Sequence, residues 1–383
     1  MNNTAVKINS SQLIIPLIVG SISAVLVMYI FFSGEKTNFE NLALGDGTAS
    51  YYATSESHKI HCTDIEDAHL CLEGHFKRNL SDAVLWLGNS QIHGINKFRP
   101  DQESAPLSLF KMLQKKGIDL VTFSQPNASI QEHYVLFEYL KSRIHFNVFI
   151  LPVVFDDMRE NGIRSSLSKA LHDPETAESL KKTDIGMRIL KENNNVNQND
   201  SSPDIAGVKD TIQESFEQTV NKWLKDNFSL WEIRPEIRGK FYVFLYKLRN
   251  LILGIDPTSK RHIIRGTYDA NMMALRAMLD SARAANIDVI MYIAPLRNDI
   301  EIPYVPEQYE LFKDEVEQSA INKNTAFVNL EDLVPGHLWG TKESTKLGGK
   351  PEYDFMHFQH EGHRLLSNAL YETLRKEYIL SKR

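Results

Sequence analysis

The stretch "VLWLGNSQIHGIN", residues 84–96, sets four apolar residues directly against Gly-Asn-Ser before polar residues and a second glycine follow. A short apolar run bounded by turn residues reads as a buried strand. Gly88 permits a tight turn after it, and the next helix is expected to start nearby. Ser90 then lies three residues beyond Leu87, at the carboxyl edge of a sheet, where open α/β folds bind ligands. A serine in a strand-to-helix turn also serves as an ordinary helix cap. Its position alone therefore does not make it a nucleophile.

Further short apolar runs occur at Leu120–Phe123, Val148–Val154, Val289–Ile293 and Ala326–Val328. Each is flanked by polar or turn residues, as buried strands of a parallel sheet are. Helix-like segments separate them. "PLSLFKMLQKKG" has apolar spacings of three and four and ends at Gly117, and "ALRAMLDSARAAN" precedes the fourth run. This alternation predicts an α/β fold, a three-layer α/β/α sandwich around a parallel sheet.

Leu13 to Phe32 is twenty residues without a charge, and a helix of that length is about 30 Å long, enough to span a bilayer. No small-residue cleavage site follows in "FFSGEKTNFEN", so an uncleaved anchor is expected. The arm before it carries Lys7 and no acid, which favours that end inside and the rest of the chain outside. The expected organisation is a cytoplasmic arm (1–12), a transmembrane anchor (13–32), a linker and extension (33–79), and an α/β domain (80–383) with a helical insertion at about 160–265.

Within that insertion, "KENNNVNQNDSSPD", residues 191–204, is almost free of apolar side chains and reads as a loop or linker. The segment that follows reads as helical and ends in "RGKFYVFLYKLRNLILGI", where aromatics and leucines interleave with Arg238, Lys240, Lys247 and Arg249. Such a helix suits a membrane surface or a partner's groove. It also suits a core helix whose basic residues extend their heads to water.

The chain of 383 residues has a net charge of -6 and no dense basic run, so nucleic-acid binding is set aside. Its two cysteines, Cys62 and Cys71, are nine positions apart. A disulfide between them would stabilise by about 2.7 kcal/mol in the chain-entropy model and would fit an oxidising compartment. Two free thiols are the alternative. A metal site is the weakest reading, because two cysteines and His61 do not complete four ligands.

Near the C-terminus, "EYDFMHFQHEGHRLLSNALYETL" places Asp354 and His357 three residues apart, ahead of an apolar-periodic helix. A carboxylate at that spacing can accept a proton from the imidazole, fix its tautomer and raise its basicity. A serine hydroxyl needs such a base. His357, His360 and His363 also recur every third residue, but "HEGH" lacks one residue of the zinc-peptidase spacing. A rotation of about 300° per step spreads the rings around a helix, so no metal site is expected. His360 and His363 are expected at the surface or at the helix start, and His93 either in solvent or reaching over to support the site.

"LGNSQIHG" and the later "DFMH" resemble the first and last blocks of the SGNH (GDSL-like) hydrolase superfamily, in the same order along the chain. More narrowly, the anchor, "ILPVVFDD", "YIAPLRNDIEIPY" and "VNLEDL" resemble the membrane-anchored DltD-like and alginate O-acetylation-type members. The resemblance implies a flavodoxin-like sheet, with Ser90 as nucleophile, His357 as general base and Asp354 as the orienting carboxylate. It implies no cofactor. Its usual oxyanion glycine and asparagine are replaced here by loops reading "SQPNASIQE" and "VVFDDMREN". Asn127 is a candidate oxyanion donor, and Asp156 and Asp157 are candidate substrate-side acids that repel a developing oxyanion if ionised, or that hold a polar acceptor or an arginine such as Arg159. The layout further implies acyl transfer outside the membrane, from an acyl donor supplied by a membrane-bound O-acyltransferase partner to a glycopolymer acceptor. An esterase of the same fold and a non-catalytic supporting subunit are the alternatives.

Overall fold

A computed structural model describes residues 53–55, 58–95, 99, 101–199, 260–342, 344 and 349–379. Leu13–Phe32 and the basic, aromatic segment at 236–255 lie outside the described residues. Among the described residues, no helix is long and apolar enough to cross a membrane.

Two short strands, β1 (Thr54–Ser55) and β2 (His58–Lys59), form an antiparallel pair. The central sheet has six strands, β3 (His61–Cys62), β4 (Asp82–Gly88), β5 (Ile118–Ser124), β6 (Val148–Val153), β7 (Asp288–Ile293) and β8 (Ala326–Asn329). Their spatial order is β3-β5-β4-β6-β7-β8, and every neighbouring pair is parallel. The chain leaves β4 towards β5 on one side, whereas β6 leads to β7 on the other. The crevice between β4 and β6 is thus the switch point at which such sheets hold ligands.

Helices α1 (Ala68–Arg78), α2 (Ala105–Gln114), α3 (Ile130–Lys141), α4 (Ser168–His172), α5 (Pro174–Leu180), α6 (Asp184–Asn199), α7 (Arg265–Ala284), α8 (Pro306–Asn322) and α9 (His360–Leu374) complete the described helices. Alternating side chains of β4 sort them into two layers. Val84 and Trp86 pack in a core with Leu109 and Phe110 of α2 and Leu366 and Leu370 of α9. Leu85 and Leu87 face the other core, built from α1, α3, α7 and α8. Full burial of each such side chain contributes roughly 1.5–3 kcal/mol, and coverage on both faces explains why these strands are apolar throughout. Gly117 follows α2 at φ 73°, a left-handed position that a side chain would strain.

Two expectations about boundaries need correction. The segment placed in a linker and extension contributes β3 to the main sheet, and α1 is tied to β5 by Asp119, which takes His75 Nδ1 at 2.7 Å and Arg78 Nε at 2.6 Å. The α/β domain therefore begins before residue 80. Residues 191–199, expected as loop, continue α6. The reason is that Ile185, Ile189 and Asn193 are buried at helical spacing, so tertiary packing nucleates the helix and the asparagines lower its propensity without stopping it.

The cysteines form a disulfide, Cys62 in β3 to Cys71 in α1, with Cα atoms 6.2 Å apart. A last hairpin, β9 (Trp339–Lys342) with β10 (Glu352–Phe358), is antiparallel and carries Asp354 and His357 to the edge of the sheet.

Candidate active site

β4 ends at Gly88, and the chain turns at once into a short 3-10 segment, Ser90–Ile92. A Cβ at Gly88 would stand 2.8 Å from Ile92 Cδ1, so a larger residue here would have to displace the end of that side chain. The cap of the turn is Asn89 rather than the serine: its side-chain oxygen accepts the Gln91 amide at 3.0 Å. Ser90, freed from that role, is the first residue of the turn. Its peptide N–H belongs to the group that helical geometry leaves without a partner inside the turn.

Ser90 Oγ lies 2.9 Å from His357 Nε2, and His357 Nδ1 lies 2.9 Å from Asp354 Oδ2. The second Asp354 oxygen accepts the backbone amides of Met356 at 2.9 Å and His357 at 3.0 Å. Asp354 is 2% exposed, and an ionised carboxylate buried in this way requires such donors. The order Ser–His–Asp, with one imidazole nitrogen facing each partner, suits the ring to take a proton from the hydroxyl while the carboxylate holds its tautomer.

Three neighbours hold this chain of contacts in place. The Gln91 side-chain amide donates to the Pro295 carbonyl at 2.7 Å and the Met356 carbonyl at 3.0 Å, tying the serine turn to the loop after β7 and to β10. Arg297, 5% exposed, donates to the carbonyls of Gly340 at 3.1 Å and Asp354 at 3.4 Å. Asn89 gives its amide to Asp157 at 3.1 and 3.2 Å.

No family model matches the chain, and no curated protein does. Solved structures to which the chain is similar include a putative acylhydrolase, a GDSL-like lipase and an esterase. A putative acylhydrolase from Bacteroides fragilis is 10% identical, with 79% of this chain and 93% of that chain covered at a TM-score of 0.36. A GDSL-like lipase from Bacteroides thetaiotaomicron is 10% identical, with 79% and 90% covered at 0.35. A mutant acetyl-xylooligosaccharide esterase from Geobacillus is 11% identical, with 79% and 98% covered at 0.36.

The other expected site residues are placed as follows. Asn127 stands exposed in the turn from β5 to α3 at φ 51°, at the same sheet edge as Ser90. Asp156 accepts Arg159 at 3.4 Å, the Tyr304 hydroxyl at 3.1 Å and Arg261. It thus holds arginines, the second of the two roles foreseen for it. Asp157 is 2% exposed and turned onto Asn89, which corrects its expected place on the substrate side. Burial raises its carboxyl well above the usual carboxylate range, with the Asn89 amide opposing.

His93 is 1% exposed, which corrects the solvated alternative, and its Nε2 lies 2.6 Å from Ser124 Oγ. His61 Nε2 reaches the same hydroxyl at 2.5 Å. His363 lies in the first turn of α9, the second of its two expected places, and is fully buried rather than at the surface, accepting the Ala105 amide on Nδ1 at 3.2 Å. Burial holds His93 and His363 down at about 3, with neighbouring imidazoles adding to the effect. Among the described residues no group of His, Cys, Asp or Glu is arranged to hold a metal ion.

Sequence reasoning missed Asn89, Gln91, Arg297, His61 and Ser124. Asn89 and Gln91 flank the serine in the opening stretch, and two amide side chains beside a serine in a turn were the available signal.

Proposed function

We propose that the protein is a serine-dependent acyl-transfer enzyme working through a Ser90 acyl-enzyme, with an envelope glycopolymer hydroxyl as the acceptor. The observation that carries the chemistry is the Ser90–His357–Asp354 chain, with both contacts at 2.9 Å. His357 takes the Ser90 proton as Oγ attacks the acyl carbonyl, and the tetrahedral oxyanion collapses as His357 returns the proton to the leaving group. The acceptor hydroxyl then gives its proton to His357, attacks the ester and leaves acylated, and Ser90 recovers its proton. Water in place of the acceptor gives an esterase.

The Ser90 backbone N–H is the oxyanion donor this reading relies on, with the exposed Asn127 amide as the candidate second. Losing one oxyanion donor costs about 10²–10³ in turnover, so a site resting on the Ser90 N–H alone is expected to be a weak hydrolase. The uncharged stretch Leu13–Phe32 supports a single-pass membrane protein with its α/β domain on the extracytoplasmic side, served by a membrane-bound acyl donor enzyme. The Cys62–Cys71 disulfide supports an oxidising compartment.

The test is intact mass spectrometry after incubation with an activated acetyl ester, with free acetate followed in parallel. An adduct on the wild type and none on Ser90→Ala is the expected result. Slow acetate release then marks transfer, and rapid release marks an esterase. A folded protein giving neither adduct nor acetate would leave a supporting subunit as the better reading.

A further inference from the structure

A groove of about 300 Å³ lies against the hairpin β9–β10, between it and the loop at 300–303. That volume is at the lower end for sites that take small molecules. Its walls include Pro303, Tyr353 and Phe355, and its rim carries Lys342, Glu301 and Glu352. Tyr353 and Phe355 bracket Asp354, the residue that orients His357, so the groove and the serine site share one strand.

Tyr353 is the unusual member. It is 60% exposed, yet the Arg297 guanidinium lies 4.4 Å from its ring centroid, and Arg297 is itself fixed by Asp299 and two carbonyls. One ring face is thus mounted on a buried cation while the side chain stays open to solvent. A rigid exposed aromatic costs little ordering entropy when a flat apolar face docks on it.

The rim decides which flat ligand. Glu301 pairs with Lys260 at 2.7 Å, and Lys342 lies 5.0 Å from the Phe355 ring centroid. Lys260 and Lys342 balance Glu301 and Glu352. An anionic polymer therefore gains no net attraction, and an acyl chain would have to desolvate the exposed Glu301 carboxylate without replacing its water. A neutral sugar ring satisfies both demands: its C–H face lies on the aromatic wall, and its hydroxyls donate to carboxylates and accept from ammonium.

We propose that the groove of Tyr353, Phe355 and Lys342 is a subsite for a neutral pyranose unit of the acyl acceptor. This rests on the serine-transfer reading, but its test does not use turnover. The full chain carrying Ser90→Ala is titrated with cellotetraose or chitotetraose by calorimetry, with tetragalacturonate and decanoate as the anionic and acyl comparators. A neutral tetrasaccharide is expected to bind most tightly, with Tyr353→Ala weakening it by at least about tenfold and Tyr353→Trp holding it within about threefold. The proposal is overturned if neither neutral sugar binds the folded chain, if Tyr353→Ala binds as well, or if either comparator binds more tightly. Failure of Ser90 to label would leave this binding result untouched, so the two readings can fail separately.

Discussion

The side-chain amide of Asn89 lies 3.1 and 3.2 Å from the two carboxyl oxygens of Asp157, so the residue before the serine is anchored to the turn after β6 by a buried acid. Burial favours the neutral form of that acid. Because its folded pKa is raised, the contribution is full below the unfolded value near 3.9 and is lost as pH rises towards the folded value. Asp157→Asn should remove the loss. Its stability relative to wild type should climb with pH above 4 by up to about 1.4 kcal/mol per unit, measured by urea denaturation across pH.

Asp354 uses one oxygen on His357 Nδ1 and the other on two backbone amides. Asp354→Asn keeps an acceptor for the amides but can present an N–H to the imidazole, forcing the wrong tautomer. Turnover of an activated ester should fall by about 10⁴ with little change in melting temperature. Asp354→Ala should lose activity and also about 1–3 kcal/mol of stability, because the two amides lose their acceptor.

His61, His93, His133 and His363 are all buried, and burial depresses each of them, His133 to about 4. A depressed histidine contributes stability that is present above the unfolded value near 6.5 and is lost as pH falls towards the folded value. The histidine contribution to stability should therefore begin to drop below about pH 6.5, against the opposing gain from Asp157 as pH falls. His133→Phe should flatten that slope by up to about 1.4 kcal/mol per pH unit.

Ser124 Oγ stands between His61 at 2.5 Å and His93 at 2.6 Å, and His93 donates its amide to the Ser90 carbonyl at 3.0 Å. Ser124→Ala should cost about 1–3 kcal/mol by equilibrium denaturation, because the hydroxyl's two imidazole contacts are lost in the interior. Ser124→Thr, which keeps the hydroxyl, should recover part of it.

The Cys62–Cys71 bridge pins the edge strand to α1. The double change Cys62→Ala with Cys71→Ala should lower stability by about 2.7 kcal/mol, and a reductant should bring the wild type towards the variant. No shift on substitution would mean that the bridge contributes nothing.

β4 to β7 were legible because strands covered on both faces are largely apolar, and the edge strand β8 because its run Ala326–Val328 is apolar. β3 was not, since two residues, His61 and Cys62, offer no periodicity. Asp354 and His357 were legible as a pair from local spacing, and the resemblance joined Ser90 to them. The Asn89–Asp157 and His93–Ser124–His61 contacts join side chains far apart in sequence, and no local pattern encodes such pairs. His363 is a different case: it falls on the stripe of Leu366, Leu370 and Leu374, spaced three and four apart, and that stripe already marked it as interior.

Ser90 and His357 are 267 positions apart in sequence, and Gln91 bonds to the carbonyl of Met356, immediately before that histidine. During synthesis the nucleophile is made early, and its base arrives only with the last strand of the domain. On the acyl-transfer reading a nascent chain passes most of its elongation unarmed, and acyl-enzyme formation would report that the C-terminal hairpin has docked. A chain clipped between β8 and β9 would keep its sheet strands and lose its chemistry.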